Sequence, residues 1–166
     1  MQTPKRKPNP YDLIPPDYHV SQEKYDSFVR EFEKLEKRVR PKVIEEMQAA
    51  AEHGDFSENH AYQMAKWRVR GINGRLEKLK KKIDNAIIIE KNIQSDTVQI
   101  GSTVVVEVNG MEKEYQILGA EEVDPLIGKI SHLSPLGKVL LGHSKGDKVE
   151  AEIGDSIKVY TIISIG

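Results

Sequence analysis

The apolar residues of this chain change their period once, and the change divides it. After Ser21, the residues Tyr25, Phe28, Phe32, Leu35 and Val39 recur at alternating spacings of three and four, with Arg30, Glu31, Lys34, Lys37 and Arg38 on the outer faces. This is the seam of a helix that packs lengthwise on another helix, and Ser21 offers a side-chain oxygen to cap its start. Pro41 interrupts the pattern, because its nitrogen cannot donate to the carbonyl four residues back. Ile44, Met47, Ala50 and Ala51 resume it, which predicts one kinked helix and not two separate ones. A second seam follows at Ala65, Val69, Ile72, Leu76, Leu79, Ile83 and Ala86, again alternating four and three. Between the seams lies His53-Gly54-Asp55-Phe56-Ser57-Glu58-Asn59, where Gly54 suits a helix end and Ser57 a helix start. A turn of about five residues makes the two helices antiparallel. At about 30 residues each they form a rod of roughly 45 Å. Ala49, Ala50, Ala51, Ala61 and Ala65 keep its far end slender.

Beyond about residue 92 the period becomes two. Val104, Val106 and Val108 alternate with more polar positions, Asn109-Gly110 marks a tight hairpin, and Met111 to Leu118 returns as its partner strand. Ile127 to Leu133 reads as a further strand. Ser134-Pro135 opens a short helix through Leu141, with serine as cap and proline at the first helical position. Lys148 to Ile153 and Ile157 to Ile165 complete a small α+β domain around a turn at Gly154-Asp155. The expected organisation is therefore a proline-rich extension over 1–20, a helical hairpin over 21–91 and a strand-rich domain over 92–166. The extension carries Pro4, Pro8, Pro10, Pro15 and Pro16 with Lys5, Arg6 and Lys7, a composition that favours extended, loosely packed chain. Tyr11, Leu13, Ile14 and Tyr18 are its possible anchors for a partner.

Composition narrows the classes. Of 166 residues, 38% are hydrophobic and 31% charged, which suits an exposed helical element joined to a small globule. No cysteine is present, so disulfides and thiolate metal sites are excluded, and the five histidines lie far apart without ligand spacing. They read as polar surface or helix-end residues. No apolar run approaches the roughly 20 residues of a membrane span, and the N-terminus lacks a signal-like segment. The expectation is a soluble cytoplasmic protein with no membrane partner. Residues 1–91 hold 19 basic against 15 acidic side chains and residues 92–166 hold 6 against 11, so the near-neutral total hides opposite halves. Neither half is basic enough for a free nucleic-acid binder. A glycine-rich phosphate loop, a nucleophile elbow and an HExxH pair are all missing, so the chain is not expected to be an enzyme by itself.

Chemistry concentrates between the helices. Asp55 and Glu58 stand at the start of the second helix, whose dipole favours their ionised form. Acids at that position commonly do no more than stabilise the helix start. Placed at the end of a rod they cannot fill a core, and carboxylate oxygens are the ligands that hard cations such as Mg²⁺ take. Lys66, Arg68 and Arg70 follow, with Trp67 among them. They read either as a solvated charged face or as a hold on a phosphate backbone, with Trp67 as a packing residue. Residues 92–166 contain only Tyr115 and Tyr160 as aromatics, which speaks against an aromatic-lined prolyl isomerase pocket.

These residues carry a resemblance. His53-Gly54-Asp55-Phe56-Ser57-Glu58-Asn59 followed by Tyr62 is similar to the signature of the bacterial Gre transcript-cleavage factors, the GreA/GreB family. Arg40-Pro41, Asp84-Asn85-Ala86, Ser134-Pro135 and Leu140-Leu141-Gly142 extend the likeness over about residues 20–166. The resemblance implies an N-terminal antiparallel coiled coil and a C-terminal domain of FKBP-like topology. It implies a transcription elongation factor whose rod enters the secondary channel of bacterial RNA polymerase when the enzyme has backtracked. Asp55 and Glu58 would then help hold a catalytic Mg²⁺ of the polymerase and position the attacking water, while the polymerase cleaves the nascent RNA 3′ end. No tight Mg²⁺ site is expected in the free protein, because two exposed carboxylates displace too little of the ion's water. Ala51 stands where GreA-type members usually carry a basic residue, and Lys66, Arg68 and Arg70 resemble the basic run of GreB-type members. That combination points to longer released fragments. Two other readings keep the fold but change the role: a relative that occupies the channel and inhibits, and a coiled-coil adaptor without chemistry.

Overall fold

The computed structural model describes residues 16–52, 60–90, 95–154 and 156–166. The first seam is helical throughout: α1 spans Gln22–Lys34 and α2 spans Arg40–Ala51. Ser21 caps α1, its Oγ accepting from the Lys24 N–H at 3.2 Å. Pro41 does not break the chain, because the residues ahead of α2, Leu35–Val39, form a π-type turn in which the Arg40 N–H donates to the Leu35 carbonyl. Such a turn takes up one residue more than an α turn, and Pro41 then falls in the first turn of α2, where a missing N–H costs little. The wide turn also resets the seam. From Leu35 the partly or fully buried positions step by four, through Val39 and Val43 to Met47. In an unbroken α-helix at about 100° per residue, three such steps would swing the stripe roughly 120° away from its partner. The π turn takes out most of that drift, so Val43 (1% exposed) is the buried residue of α2. The periodicity reading passes over Val43 in favour of Ile44, which is half-buried.

The second seam forms α3, His60–Asp84, and every expected position from Ala65 to Ile83 is buried or half-buried. Cross-helix pairs fix its direction. Arg75 forks onto Glu31 (2.8 and 3.1 Å), Arg40 Nε donates to Asn73 Oδ1 (2.8 Å), and Arg68 pairs with Glu46. As the first partner advances along the chain the second recedes, so the helices are antiparallel. The expected caps Gly54 and Ser57 lie outside the described residues.

At the base of this hairpin the chain departs from a loose extension. Residues 17–20 are docked, and their last part, β1 (His19–Val20), pairs in parallel with β2 (Ile87–Ile88) just after α3. The Ile87 and Ile89 N–H groups donate to the Tyr18 and Val20 carbonyls, both at 2.9 Å. Val20 is buried with Phe28 and Leu79, and Tyr25, Phe32 and Ile83 pack around them. An apolar cluster at the hairpin base outweighs the extended-chain preference of the prolines before it. Tyr11, Leu13 and Ile14 lie outside the described residues.

The remaining strands are β3 (Thr103–Val108), β4 (Met111–Leu118), β5 (Lys129–Ser131), β6 (Lys148–Ile153) and β7 (Ser156–Ile165), in the order β5-β4-β3-β7-β6. Within this sheet only β4 and β5 pair in parallel. Asn109 and Gly110 both have positive φ (54° and 74°), as the predicted two-residue hairpin demands. The helix α4 (Pro135–Leu140) starts at Ser134, whose Oγ accepts from the Gly137 N–H at 3.0 Å. Leu136 and Leu140 share one buried cluster with Val104, Val106, Ile117 and Ile162. The strand expected over Ile127 to Leu133 is shorter: Asp124 Oδ1 accepts from the Leu126 N–H (3.2 Å), Pro125–Ile127 turns, and Gly128 is left-handed before β5 begins. The architecture is α+β: a long helical hairpin and a five-stranded mixed sheet covered by one short helix.

Candidate functional site

The hairpin presents its distal end well away from the sheet. Its base is tied to the sheet domain, because the Ser21 N–H and Oγ donate to the two carboxylate oxygens of Glu122 (2.7 and 2.6 Å) and Lys82 pairs with Glu121 at 2.7 Å. From Asp84 back to His60, the 25 residues of α3 span about 37 Å at the helical rise. The end of α2 at Ala51 and the start of α3 at His60 therefore lie at the far end. Asp55 and Glu58 fall in the sequence between them and lie outside the described residues.

Below that end, the expected basic cluster divides. Lys66 and Arg70 are one helical turn plus about 40° apart and share a face of α3, while Arg68 lies near the opposite flank. Arg68 is held across the hairpin by Glu46. Lys66 and Arg70 are exposed and form no ion pair among the described residues. Trp67 is 72% exposed, so the packing role expected for it is overturned: its position points off the seam on which Ala65 and Val69 lie. Met64 is also exposed, and Gly71 and Gly74 meet no atom within 4 Å at their Cβ positions. The outer face of α3 thus carries a tryptophan, a methionine and bare backbone beside two cations with no ion pair among the described residues. Among the small residues expected near the end, Ala65 is buried, Ala50 and Ala51 are half-buried, and Ala49 and Ala61 face outward.

Sequence reasoning missed a second cluster, at the opposite end of the hairpin. His19 and His132 are 113 positions apart by number, yet their rings meet edge to face with centroids 5.0 Å apart. Asp17 lies between them, with Oδ1 at 2.8 Å from His19 Nδ1 and Oδ2 at 3.5 Å from His132 Nδ1. The Ala120 N–H (2.8 Å) and the His19 N–H (3.1 Å) also donate to this carboxylate. Burial alone pushes Asp17 upward, but the hydrogen bonds from Ala120 and His19 outweigh it and hold its carboxyl below the ordinary range. The expectation that the histidines are simple surface or helix-end residues fails for this pair. No signal in the sequence joins position 19 to position 132, because the contact depends on the docking of β1. Gly119 permits that docking, since a Cβ there would run into the His19 carbonyl. Tyr160 is buried in the sheet core. No helix among the described residues is long and apolar enough to cross a membrane.

Comparison with known proteins covers nearly the whole described chain. A family profile described as "Transcription elongation factor, N-terminal" matches residues 18–88, and one described as "Transcription elongation factor, GreA/GreB, C-term" matches residues 93–166. Transcription elongation factor GreA of Pelobacter propionicus is 40% identical over 149 residues, covering 88% of this chain and 94% of that protein. The GreA of Thermomicrobium roseum is 36% identical over 148 residues, with 88% and 95% covered. Among solved structures, GreA factor homolog 1 of Thermus thermophilus is similar over 89% of this chain and 97% of that chain, at 24% identity and a TM-score of 0.40.

Proposed function

Since the chain belongs to the GreA/GreB family of transcription elongation factors, we propose that it enters the secondary channel of RNA polymerase hairpin-first and stimulates the polymerase's own cleavage of backtracked RNA 3′ ends. The observation that carries this reading is the antiparallel hairpin itself, anchored at its base and reaching about 37 Å to the helix ends between which Asp55 and Glu58 are placed in sequence. In this reading residues 21–91 serve as a coiled-coil probe. Residues 92–166 serve as an FKBP-like domain that grips the polymerase near the channel mouth, and residues 1–20 are an extension whose last residues, 17–20, dock at the hairpin base.

The donor set fits a shared ion. Two carboxylates supply the oxygen ligands Mg²⁺ takes but fill only part of an octahedral shell, leaving the rest to the polymerase and water. A second Mg²⁺ supplies charge that steadies the attacking and leaving oxygens in two-metal phosphoryl chemistry. Asp55 and Glu58 contribute by accepting hydrogen bonds from the attacking water and orienting it. Lys66 and Arg70, exposed on one face, meet the phosphates of the extruded RNA, and Arg68 contributes mainly by holding α3 to α2.

The test is RNA cleavage in a stalled, backtracked polymerase complex with Mg²⁺, comparing the native chain with Asp55→Asn and Glu58→Gln after each is shown to bind by competition. Stimulation that falls about a hundredfold or more in variants that still bind establishes the acidic pair. Binding without stimulation by the native chain would make it an inhibitory occupant of the channel. Release of di- and trinucleotides alone from deeply backtracked complexes would contradict the longer fragments expected from the basic residues.

A further inference from the structure

Asp17, His19 and His132 each offer a ligand atom, and these atoms all lie within 4.8 Å of one another. We propose that they form a site for a zinc-type divalent transition-metal ion that pins the N-terminal strand to the C-terminal domain. The donor chemistry selects the ion. Two imidazole nitrogens and one carboxylate oxygen suit Zn²⁺ and its neighbours, whereas Mg²⁺ and Ca²⁺ take oxygen sets.

The geometry is close to a loaded site. Ligand atoms around a tetrahedral zinc stand about 3.3 Å apart, given bonds of about 2.0–2.1 Å. The Asp17 Oδ2 to His132 Nδ1 separation, 3.5 Å, is already near that value. The Asp17 Oδ1 to His19 Nδ1 separation, 2.8 Å, runs to the other carboxylate oxygen and is that of a hydrogen bond, so loading the site turns one Asp17 oxygen toward both rings as the ion replaces the shared proton. His132 Nδ1 also lies 3.3 Å from the Leu118 carbonyl, a hydrogen bond given up when Nδ1 binds the ion. Each imidazole then carries its proton on Nε2, and water takes the fourth position. The carboxylate is oriented by the Ala120 and His19 N–H groups, the kind of outer support that fixes metal ligands. The side chains of Asp17 and His132 are 5% and 11% exposed, so two of the three ligands are withdrawn from bulk water.

Position gives the site a consequence. Asp17 and His19 belong to the segment paired with β2 at the hairpin base, while Ala120 and His132 belong to the sheet domain. An ion shared across this joint ties the two parts together and restrains how the hairpin projects. This reading is independent of the polymerase and is tested without it.

Full-length, metal-free chain is titrated with Zn²⁺ by calorimetry and with Co²⁺ by visible absorption. The expected result is one ion per chain, the intense Co²⁺ bands of a four-coordinate site, and affinity reduced at least about tenfold in His19→Gln and in His132→Gln. Asp55→Asn with Glu58→Gln leaves binding unchanged. Circular dichroism confirms that the histidine variants fold, and ring NMR signals of His19 and His132 in the native chain, which shift together on Zn²⁺ addition, give a readout without mutation. Absence of binding in the native chain, or binding undiminished in both histidine variants with unshifted ring signals, overturns the proposal and leaves the cluster as a hydrogen-bonded clasp.

Discussion

The hairpin and the sheet domain bury their apolar residues in different geometries. In the sheet domain, Val104, Val106, Ile117, Leu140 and Ile162 belong to one cluster, and each is closed off by neighbours from several strands and α4. In the hairpin, Phe28 and Leu79 close a cluster at the base with Val20, while Val43 and Ala65 are the buried residues among those described in the upper part. A cluster loses many contacts at once when one member is removed. A seam is a row of stations, each supported by the turns on either side, so damage stays local. The difference matches the division of labour proposed above: a firm base that holds, and a slender projection that reaches.

The largest effects should come from equivalent truncations in the two regions. Leu140→Ala and Leu79→Ala both empty fully buried positions and should cost about 2–5 kcal/mol, with Leu140 at the upper end. Denaturant unfolding gives the sizes and native-state hydrogen exchange gives the spread. The first should expose amides across β3, β4 and β7, and the second only those of α1, α3 and β1. Exchange spreading equally from both would break the contrast.

Next comes the joint. Gly119→Ala drives a methyl group into the His19 carbonyl and should cost about 1–3 kcal/mol through overpacking. Its signature is selective: the Ile87 and Ile89 amides, bonded to Tyr18 and Val20, should exchange faster while the sheet stays protected. Unchanged exchange at those two amides would mean that β1 docks without this close approach. Ser21→Ala removes both the α1 cap and a hydroxyl bond to Glu122, for about 1 kcal/mol in thermal unfolding.

The smallest expected effect has the opposite sign. Gly71 and Gly74 sit inside α3 with ordinary helical φ and open space where a Cβ would project. Gly71→Ala and Gly74→Ala should each stabilise the hairpin by about 0.5–1 kcal/mol, measured by its melting transition. If stimulated RNA cleavage falls while stability rises, the bare strip beside Trp67 serves a contact and not the fold.

Most of the secondary structure was legible. Alternation of three and four placed the seam of α3 from Ala65 to Ile83, and Asn109-Gly110, Ser21 and Ser134 each do the local job their chemistry predicts. Errors arose where a local preference met a packing demand. The prolines before Val20 favour loose chain, yet Val20 is buried against Phe28 and Leu79. Val43 falls outside the alternating three-and-four spacing because only the wide turn before Pro41 brings it onto the seam. Of the candidate residues, the sequence names Asp55, Glu58, Lys66, Arg68 and Arg70, and it cannot tell that Arg68 is spent on Glu46 while Lys66 and Arg70 stand exposed.

By itself, then, the sequence determined what depends on neighbours within a turn or a strand: helix phase, caps, the tight hairpin and the order of acidic and basic groups along the chain. Only the tertiary structure decided what depends on surfaces meeting. It brought Asp17, His19 and His132 together across the joint, left Trp67 in solvent and set the base of the hairpin on Glu121 and Glu122. Short-range order follows from backbone sterics and hydrogen-bond reach, which every few residues restate. Contact between positions 19 and 132 follows from the fit of two already folded parts, and no local pattern carries it.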